Sequence, residues 1–372
     1  MRVVYFSQDY TPHDYRFLEA LAGTEHDVHY LRLQDEGLAL ESRPIPAGVE
    51  AIDWRGGRRL FSWSDLPRAR RELREVLRQI GPDLVHAGPV QGPAFLTALA
   101  RFRPLVTMSW GSDLLWKARR GPGRWTATFT LARTDGLVCD SQAVRQRAIE
   151  LGMAPDRIVM FPWGVDLDHF KPGPKSELRH NLGWQDTFVM LSTRSWEPML
   201  GVDLLVRGFI QAAAERPELR LLMLGTGTLE AQIHHKIQAA GLLDRVHFAG
   251  QVDYDRLPDH YRAADIYVSA SHSDGSSVSL LEGMACGLPA LVSDIPGNCE
   301  WVEPGVNGWW FRDGDADELA IGLANAVRDR ARMKQLGLAA RSTAEARATW
   351  RSNFKELLRA YGMAAPAEKV AA

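Results

Sequence analysis

Residues 264–294 read ADIYVSASHSDGSSVSLLEGMACGLPALVSD. ADIYVSAS (264–271) is a β-branched and aromatic run that predicts a strand. SDGSS (273–277) predicts the loop at its carboxyl end. VSLLEGMAC (278–286) predicts a helix stopped by Gly287 and Pro289, and LPALVSD (288–294) the next strand. Such a unit places a helix N-terminus beyond the end of a strand. The free N–H groups and the dipole there favour an anion. Asp274 precedes the helix and Glu282 lies about one and a half turns in, roughly 8 Å along the axis. Two acids flanking an anion position suit a ligand with hydroxyls at both ends and phosphates between, the shape of a nucleotide sugar. A purely structural reading stands beside it: Ser279 to Glu282 has capping-box spacing, and Asp274-Gly275 is an ordinary turn pair.

Working outward, short apolar runs alternate with helix-length amphipathic segments. Strands are predicted at 2–6, 27–33, 83–88, 105–110 and 136–141, and helices at 67–79, 92–102 and 142–152. The segment 164–179, GVDLDHFKPGPKSELR, has no periodicity and reads as a linker. Alternation then restarts, with strands at 188–193, 219–225, 245–250, 264–271 and 288–294, and helices at 202–215 and 228–241. The fold class is therefore α/β: two facing doubly wound, Rossmann-like domains with a ligand cleft between them. The predicted domains are 1–165 and 172–347, followed by a terminal helix at about 348–372. The tail 364–372 has little to bury.

Composition bounds the function. The chain has 372 residues, 45% hydrophobic and 24% charged, enough for two cores. A net charge of -2 gives no sign of a nucleic-acid partner. Cys139, Cys286 and Cys299 are sparse, odd in number and without metal-ligand spacing, as in a reducing compartment. No segment reads as a signal peptide or a membrane span, so the expected place is cytoplasmic, with peripheral contact to the inner membrane face left open. That option rests on Arg68, Arg70, Arg71, Arg74 and Arg78 of one amphipathic helix, on Arg55, Arg58 and Arg59 before it, and on a second basic-aromatic spot at Arg119, Arg120, Arg124 and Trp125. Glu72 and Glu75 interleave the first set, as on a solvated face.

The 264–294 unit resembles the retaining family-4 glycosyltransferases of the GT-B fold, whose signature sets two acids eight positions apart before a MACG-like run. DLVHAG, WGSDL, VCDS, FPWGVDLDHF, LSTR, LLMLGTGTLE, FAGQV, YRAADIYVSAS and IPGNCEWVEPGVNGWWF follow the family's order over nearly the whole chain. The resemblance implies transfer of a sugar from a nucleotide-sugar donor with its anomeric configuration retained. It implies that 1–165 is the acceptor-side domain, that 172–347 is the nucleotide-sugar domain, and that the helix at about 348–372 crosses back onto the first. It implies that Glu282 holds the ribose, Asp274 the transferred sugar and Arg194 the diphosphate. It also implies that the backbone at Gly275, Ser276, Ser277 and Val278 faces diphosphate and sugar, and that Gly225, Gly227 and Val252 line the nucleotide pocket. No metal or other cofactor is implied.

The chain departs from the family in three places. Met199 or Leu200 stands where a phosphate-binding lysine is usual. The first loop reads TPHDYR, with His13 and Asp14, in place of a glycine pair. Trp110 stands near the usual sugar-contacting histidine, leaving His13, Asp14 and Asp113 as acceptor-side candidates. The acceptor is left open among a glycan, a lipid-linked molecule and a small molecule. Two rival readings are a non-catalytic nucleotide-sugar-binding partner of a transferase, and an epimerase or hydrolase on the same fold. Three apparent metal motifs are discounted. Asp166-Leu-Asp168 lies in the linker, DGDADE (313–318) reads as a helix start, and His234-His235 lacks a third ligand.

Overall fold

The computed structural model describes residues 1–34, 41–58 and 63–365, without the side chains of 57 and 58. The Arg58 side chain, Arg59 and residues 366–372 of the expected crossover helix therefore lie outside the described residues. The chain divides into two compact units: Met1–Phe161 with Phe354 onward, and Pro162–Asn353.

The first unit runs β1 (Arg2–Ser7), α1 (Pro12–Ala22), β2 (Asp27–Arg32), β3 (Val49–Ala51), α2 (Leu66–Ile80), β4 (Leu84–Ala87), α3 (Phe95–Ala100), β5 (Leu105–Met108), α4 (Gly121–Leu131), β6 (Gly136–Cys139), α5 (Gln142–Glu150) and β7 (Ile158–Met160). Its seven strands lie in the order β3-β2-β1-β4-β5-β6-β7, all parallel. Residues 84–87, 105–108 and 136–139 are wholly buried, as expected where helices cover both faces of a sheet. Gly92, at φ -116 and ψ -109, breaks the helix expected over 92–102 into a wide turn followed by the shorter α3.

The second unit runs α6 (Glu177–Asn181), β8 (Phe188–Ser192), α7 (Val202–Glu215), β9 (Leu219–Leu224), α8 (Glu230–Ala239), β10 (Val246–Gly250), α9 (Leu257–Ala263), β11 (Ile266–Ser269), α10 (Val278–Ala285), β12 (Ala290–Ser293), α11 (Pro296–Cys299), β13 (Gly308–Phe311), α12 (Ala316–Arg328) and α13 (Met333–Arg347). Six parallel strands lie in the order β10-β9-β8-β11-β12-β13. Phe209, Leu221 and Leu319 belong to one core, and Val189, Tyr267 and Leu281 to the other. DGDADE is a helix start: Asp315 accepts the N–H groups of Asp317 and Glu318.

All ten strands expected from the sequence are present within two residues of their bounds. The last helix, α14 (Trp350–Ala364), returns the chain to the first unit. There the Tyr361 hydroxyl is 2.8 Å from His86 Nδ1 of β4, both fully buried. Burial pushes the His86 pKa down to about 3, so the ring is neutral at pH 7. Among the described residues no helix is long and apolar enough to cross a membrane.

Candidate functional site

In the second unit β8 is the strand from which the order runs one way to β9 and β10 and the other way to β11, β12 and β13. The gap between the carboxyl ends of β8 and β11 is thus a topological switch point, where parallel sheets open a crevice for ligands. The sequence places Arg194 just past β8 and Asp274 just past β11. The fold closes that distance. Arg194 Nη2 is 2.7 Å from Asp274 Oδ2, while Nη1 donates to Ser277 Oγ at 2.9 Å and Ser279 Oγ at 3.1 Å. Their side chains are only 15% and 17% exposed, which makes the pair stronger than a surface contact. Burial works against the Arg194 charge; the Asp274 carboxylate, together with Tyr267 and Tyr261, works the other way, and the guanidinium pKa is raised.

Ser277 is the N-cap of α10, yet its side chain makes no cap bond. The Ser279–Glu282 capping box is not formed either. Ser279 Oγ faces Arg194 and lies 2.8 Å from the Tyr267 hydroxyl. Glu282 Oε2 accepts from the Tyr261 hydroxyl at 2.7 Å. The α10 N-terminus therefore meets a guanidinium and a row of hydroxyls, all suited to a polyanion.

The neighbouring loops are pinned by backbone. A Cβ on Gly227 would lie 2.5 Å from Trp196 O, and one on Gly225 3.1 Å from Arg194 O. Trp196 N donates to Thr226 O at 2.9 Å. The Gly225-Thr226-Gly227 turn is thus locked to the Arg194 strand end. Val252, half-buried, packs on the core beside the end of β10. On the other side a Cβ on Gly297 would lie 2.2 Å from Gly275 O and 2.6 Å from Asp274 O. Only a glycine lets α11 press on the loop that aims Asp274. Trp301 Nε1 donates to Ser276 Oγ at 3.2 Å and holds the same loop.

Known proteins resemble this chain in sequence and fold. Two family models match this chain: Glycosyltransferase Family 4 over residues 13–169 and Glycosyl transferases group 1 over residues 174–343. The chain belongs to the family-4 glycosyltransferases. A D-inositol 3-phosphate glycosyltransferase of Geodermatophilus obscurus is 32% identical over 65% of this chain and 55% of its own length. A second, from Catenulispora acidiphila, is 30% identical over 55% of this chain and 50% of its own. The chain thus spans about half the length of these relatives. A GDP-mannose-dependent monoacylated alpha-(1-6)-phosphatidylinositol monomannoside mannosyltransferase of Corynebacterium glutamicum is 26% identical over 76% of this chain and 77% of its own. Anabaena Alr3699/HepE, solved with UDP-glucose, superposes with a TM-score of 0.80 at 21% identity, covering 97% of this chain and 99% of that one. The fold is GT-B.

The first unit of this family-4 glycosyltransferase corrects two of the acceptor-side candidates. TPHDYR is not an open loop but the start of α1, where Thr11 and Asp14 form a reciprocal capping box. Asp14 is 1% exposed, with its carboxylate taken up by Thr11 and by the Tyr5 hydroxyl at 3.0 Å. Burial raises its pKa to about 6, against the lowering effect of those bonds. Asp113, 2% exposed, accepts from Ser109 Oγ at 2.6 Å and from the N–H groups of Val90 and Leu114. Both carboxylates are committed to the scaffold. His13 remains: it is half-exposed, with its ring centroid 5.3 Å from that of Trp110.

The second unit shows what replaces the usual lysine. Residues 198–200 form a tight turn before Gly201. Met199 O accepts from His272 N at 3.0 Å, and Leu200 packs on the core. Among the described residues no group of three or more His, Cys, Asp or Glu has the arrangement of a metal site. Asp166 caps its own turn through the N–H groups of Asp168 and His169. Tyr261, Tyr267 and Gly297 carry no local sequence signal that marks them as part of the site. YRAAD and IPGNCE stand among the family-like pieces, but nothing local signals that Tyr261 reaches Glu282.

Proposed function

We propose that this protein transfers a glycosyl group from a nucleotide-sugar donor, with retention of anomeric configuration, to an acceptor hydroxyl. The observation that carries the reading is the Arg194–Asp274 pair at the switch point, with Ser277 and Ser279 of α10 around the same guanidinium. A diphosphate at the α10 N-terminus would face Arg194, and Glu282, steadied by Tyr261, would hold ribose hydroxyls. Asp274 would hold hydroxyls of the transferred sugar. Backbone at Gly275 to Val278 would lie along the diphosphate, and Gly225, Gly227 and Val252 along the nucleotide. As the bond from the anomeric carbon to the diphosphate breaks, charge grows where Arg194 points. The acceptor oxygen bonds to the same face of the sugar and its proton passes to the leaving diphosphate. A carboxylate already held by a guanidinium is a poor nucleophile, which supports a reaction without a glycosyl-enzyme intermediate.

The leaving group's charge falls on Arg194 and the helix terminus rather than on a divalent cation, so transfer should survive a chelator. Intracellular location and peripheral association with a membrane belong to this reading. The names of the relatives make D-inositol 3-phosphate and a phosphatidylinositol-type lipid the first acceptors to try. The test is a thermal-shift panel of nucleotide sugars, then transfer from the donor that shifts most, with product anomers read by NMR. Inverted product contradicts retention. Met199 and Leu200 at the lysine position favour a second reading, binding without transfer, which predicts a thermal shift and no released diphosphate.

A further inference from the structure

The stretch from Leu114 to Thr134 contains Lys117, Arg119, Arg120, Arg124 and Arg133 and no acidic residue, in a chain whose net charge is -2. All five cations are exposed, and among the described residues none has an ion pair. The basic helix α2 is different. Arg68 lies near Asp65 and Glu72, and Arg78 is 2.9 Å from Glu75. Arg70 and Arg71 of α2 have no ion pair among the described residues either, but Asp65, Glu72 and Glu75 interleave that helix, whereas the α4 region is basic with no acid among its residues.

The same region exposes indole. Trp125 is 59% exposed, Trp63 57% and Trp116 41%. Trp125 and Trp63 belong to one cluster. Buried Phe95 lies 5.8 Å from Trp125, 5.9 Å from Trp63 and 5.5 Å from Phe129. Arg133 sits over Phe129 at 3.7 Å and Arg119 over Trp116 at 4.4 Å. The backbone beneath is fixed. A Cβ on Gly123 would lie 2.1 Å from Lys117 O, and Arg147 Nη2 donates to Ala118 O at 2.8 Å.

We propose that this face, the 116–133 region with Trp63, docks the protein on the surface of an anionic phospholipid bilayer. Indole rings settle at the boundary between headgroup and acyl chain, where one edge is wet and the other apolar. Arginines around them meet lipid phosphates and draw the protein to negative membranes. The charge complementarity selects an anionic lipid over a zwitterionic one. The proposal extends the peripheral association above. Vesicle binding is read without donor or acceptor, so its failure leaves the transfer reading standing.

The test is co-sedimentation of the full chain with phosphatidylcholine vesicles, with and without about 30% phosphatidylglycerol. Wild type should pellet with the anionic vesicles, not with pure phosphatidylcholine, and release as salt rises. Arg124→Glu and Trp125→Ser should each weaken partitioning about tenfold or more, with unchanged circular dichroism and nucleotide-induced thermal shift. Arg71→Glu on α2 should leave it within about twofold. Brominated lipid should quench wild-type tryptophan fluorescence more than that of Trp125→Ser. Equal binding to both vesicle types, loss in Arg71→Glu alone, or binding of a single-stranded RNA oligonucleotide in preference to anionic vesicles would overturn the proposal.

Discussion

Arg194 and Asp274, eighty positions apart in the chain, meet at 2.7 Å beside the N-terminus of α10. Each residue thereby aims the other. The arrangement predicts coupling. Arg194→Met and Asp274→Ala should each weaken nucleoside diphosphate binding, and the double variant should lose less than the two losses added. A coupling energy of about 0.5–3 kcal/mol is the expected range for contacting residues. Titration calorimetry of the four proteins measures it, and strict additivity would show that the pair does not persist in solution.

Glu282 and Asp274 separate by what a free nucleotide retains. The ribose is present and the sugar is absent, so Glu282→Ala should weaken nucleoside diphosphate binding more than Asp274→Ala does. Tyr261→Phe removes the 2.7 Å bond to Glu282 and should weaken binding about tenfold, as for a bond to a charged group. Equal losses in Glu282→Ala and Asp274→Ala would contradict the two roles.

Gly297 tests the loop without touching the ligand. A methyl there collides with the carbonyls of Asp274 and Gly275 at 2.6 and 2.2 Å. Backbone cannot yield as a flexible side chain does. Gly297→Ala should cost about tenfold or more in donor affinity, because the loop carrying Asp274 must shift. Circular dichroism should stay native. Wild-type affinity in this variant would mean that the loop is not set by α11.

His86 predicts a pH dependence. Tyr5, Phe17 and Tyr361 surround its ring, and none is charged near neutral pH. Its folded pKa of about 3 lies below the ordinary 6.5, so the unfolded chain takes the proton first. The stabilisation is full above pH 6.5 and is lost as pH falls towards 3. By about pH 5 the loss should reach about 2 kcal/mol. Urea unfolding of wild type and His86→Gln at pH 7 and 5 reads it: the variant should lose less on acidification. Asp14, whose pKa rises to about 6, works in the opposite direction over pH 3.8 to 6 and is common to both proteins.

Asp14 itself is a cap. Asp14→Ala should lower stability by about 1–3 kcal/mol through the lost capping box and the orphaned Tyr5 hydroxyl. Nucleoside diphosphate affinity should be unchanged. A variant of native stability with altered acceptor use would return Asp14 to the acceptor side.

The sheets were legible because buried parallel strands are mostly apolar, as LRLLML and IYVS are but for Arg220 and Ser269. Strand β3 is three residues long and largely exposed, and its VEA carries no such signal. Helix α4 begins Gly-Pro-Gly, which reads as a turn although proline suits a first helical turn. In the site, the loop and helix at 273–286 could be read locally, but side-chain partners could not. Ser279 and Glu282 have the spacing of a cap, yet Arg194 and Tyr261 compete for them from distant strand and helix ends. Likewise Asp14 and Asp113 resemble ligand groups in sequence. Only burial shows that backbone N–H groups and hydroxyls already occupy them.

The central claim is that Arg194 carries the diphosphate, and one comparison tests it most directly. Transfer from the donor that gives the largest thermal shift is timed for wild type, Arg194→Met and Arg194→Lys. A charge-assisted bond is worth about 1.5–3 kcal/mol, or roughly 10–150-fold, and its loss should weigh more on turnover than on binding. Arg194→Lys should recover only part, since a point charge cannot contact Asp274, two serines and a phosphate as a planar fork can. The account predicts at least tenfold slower transfer by Arg194→Met with the fold intact. Transfer within about threefold of wild type would contradict it.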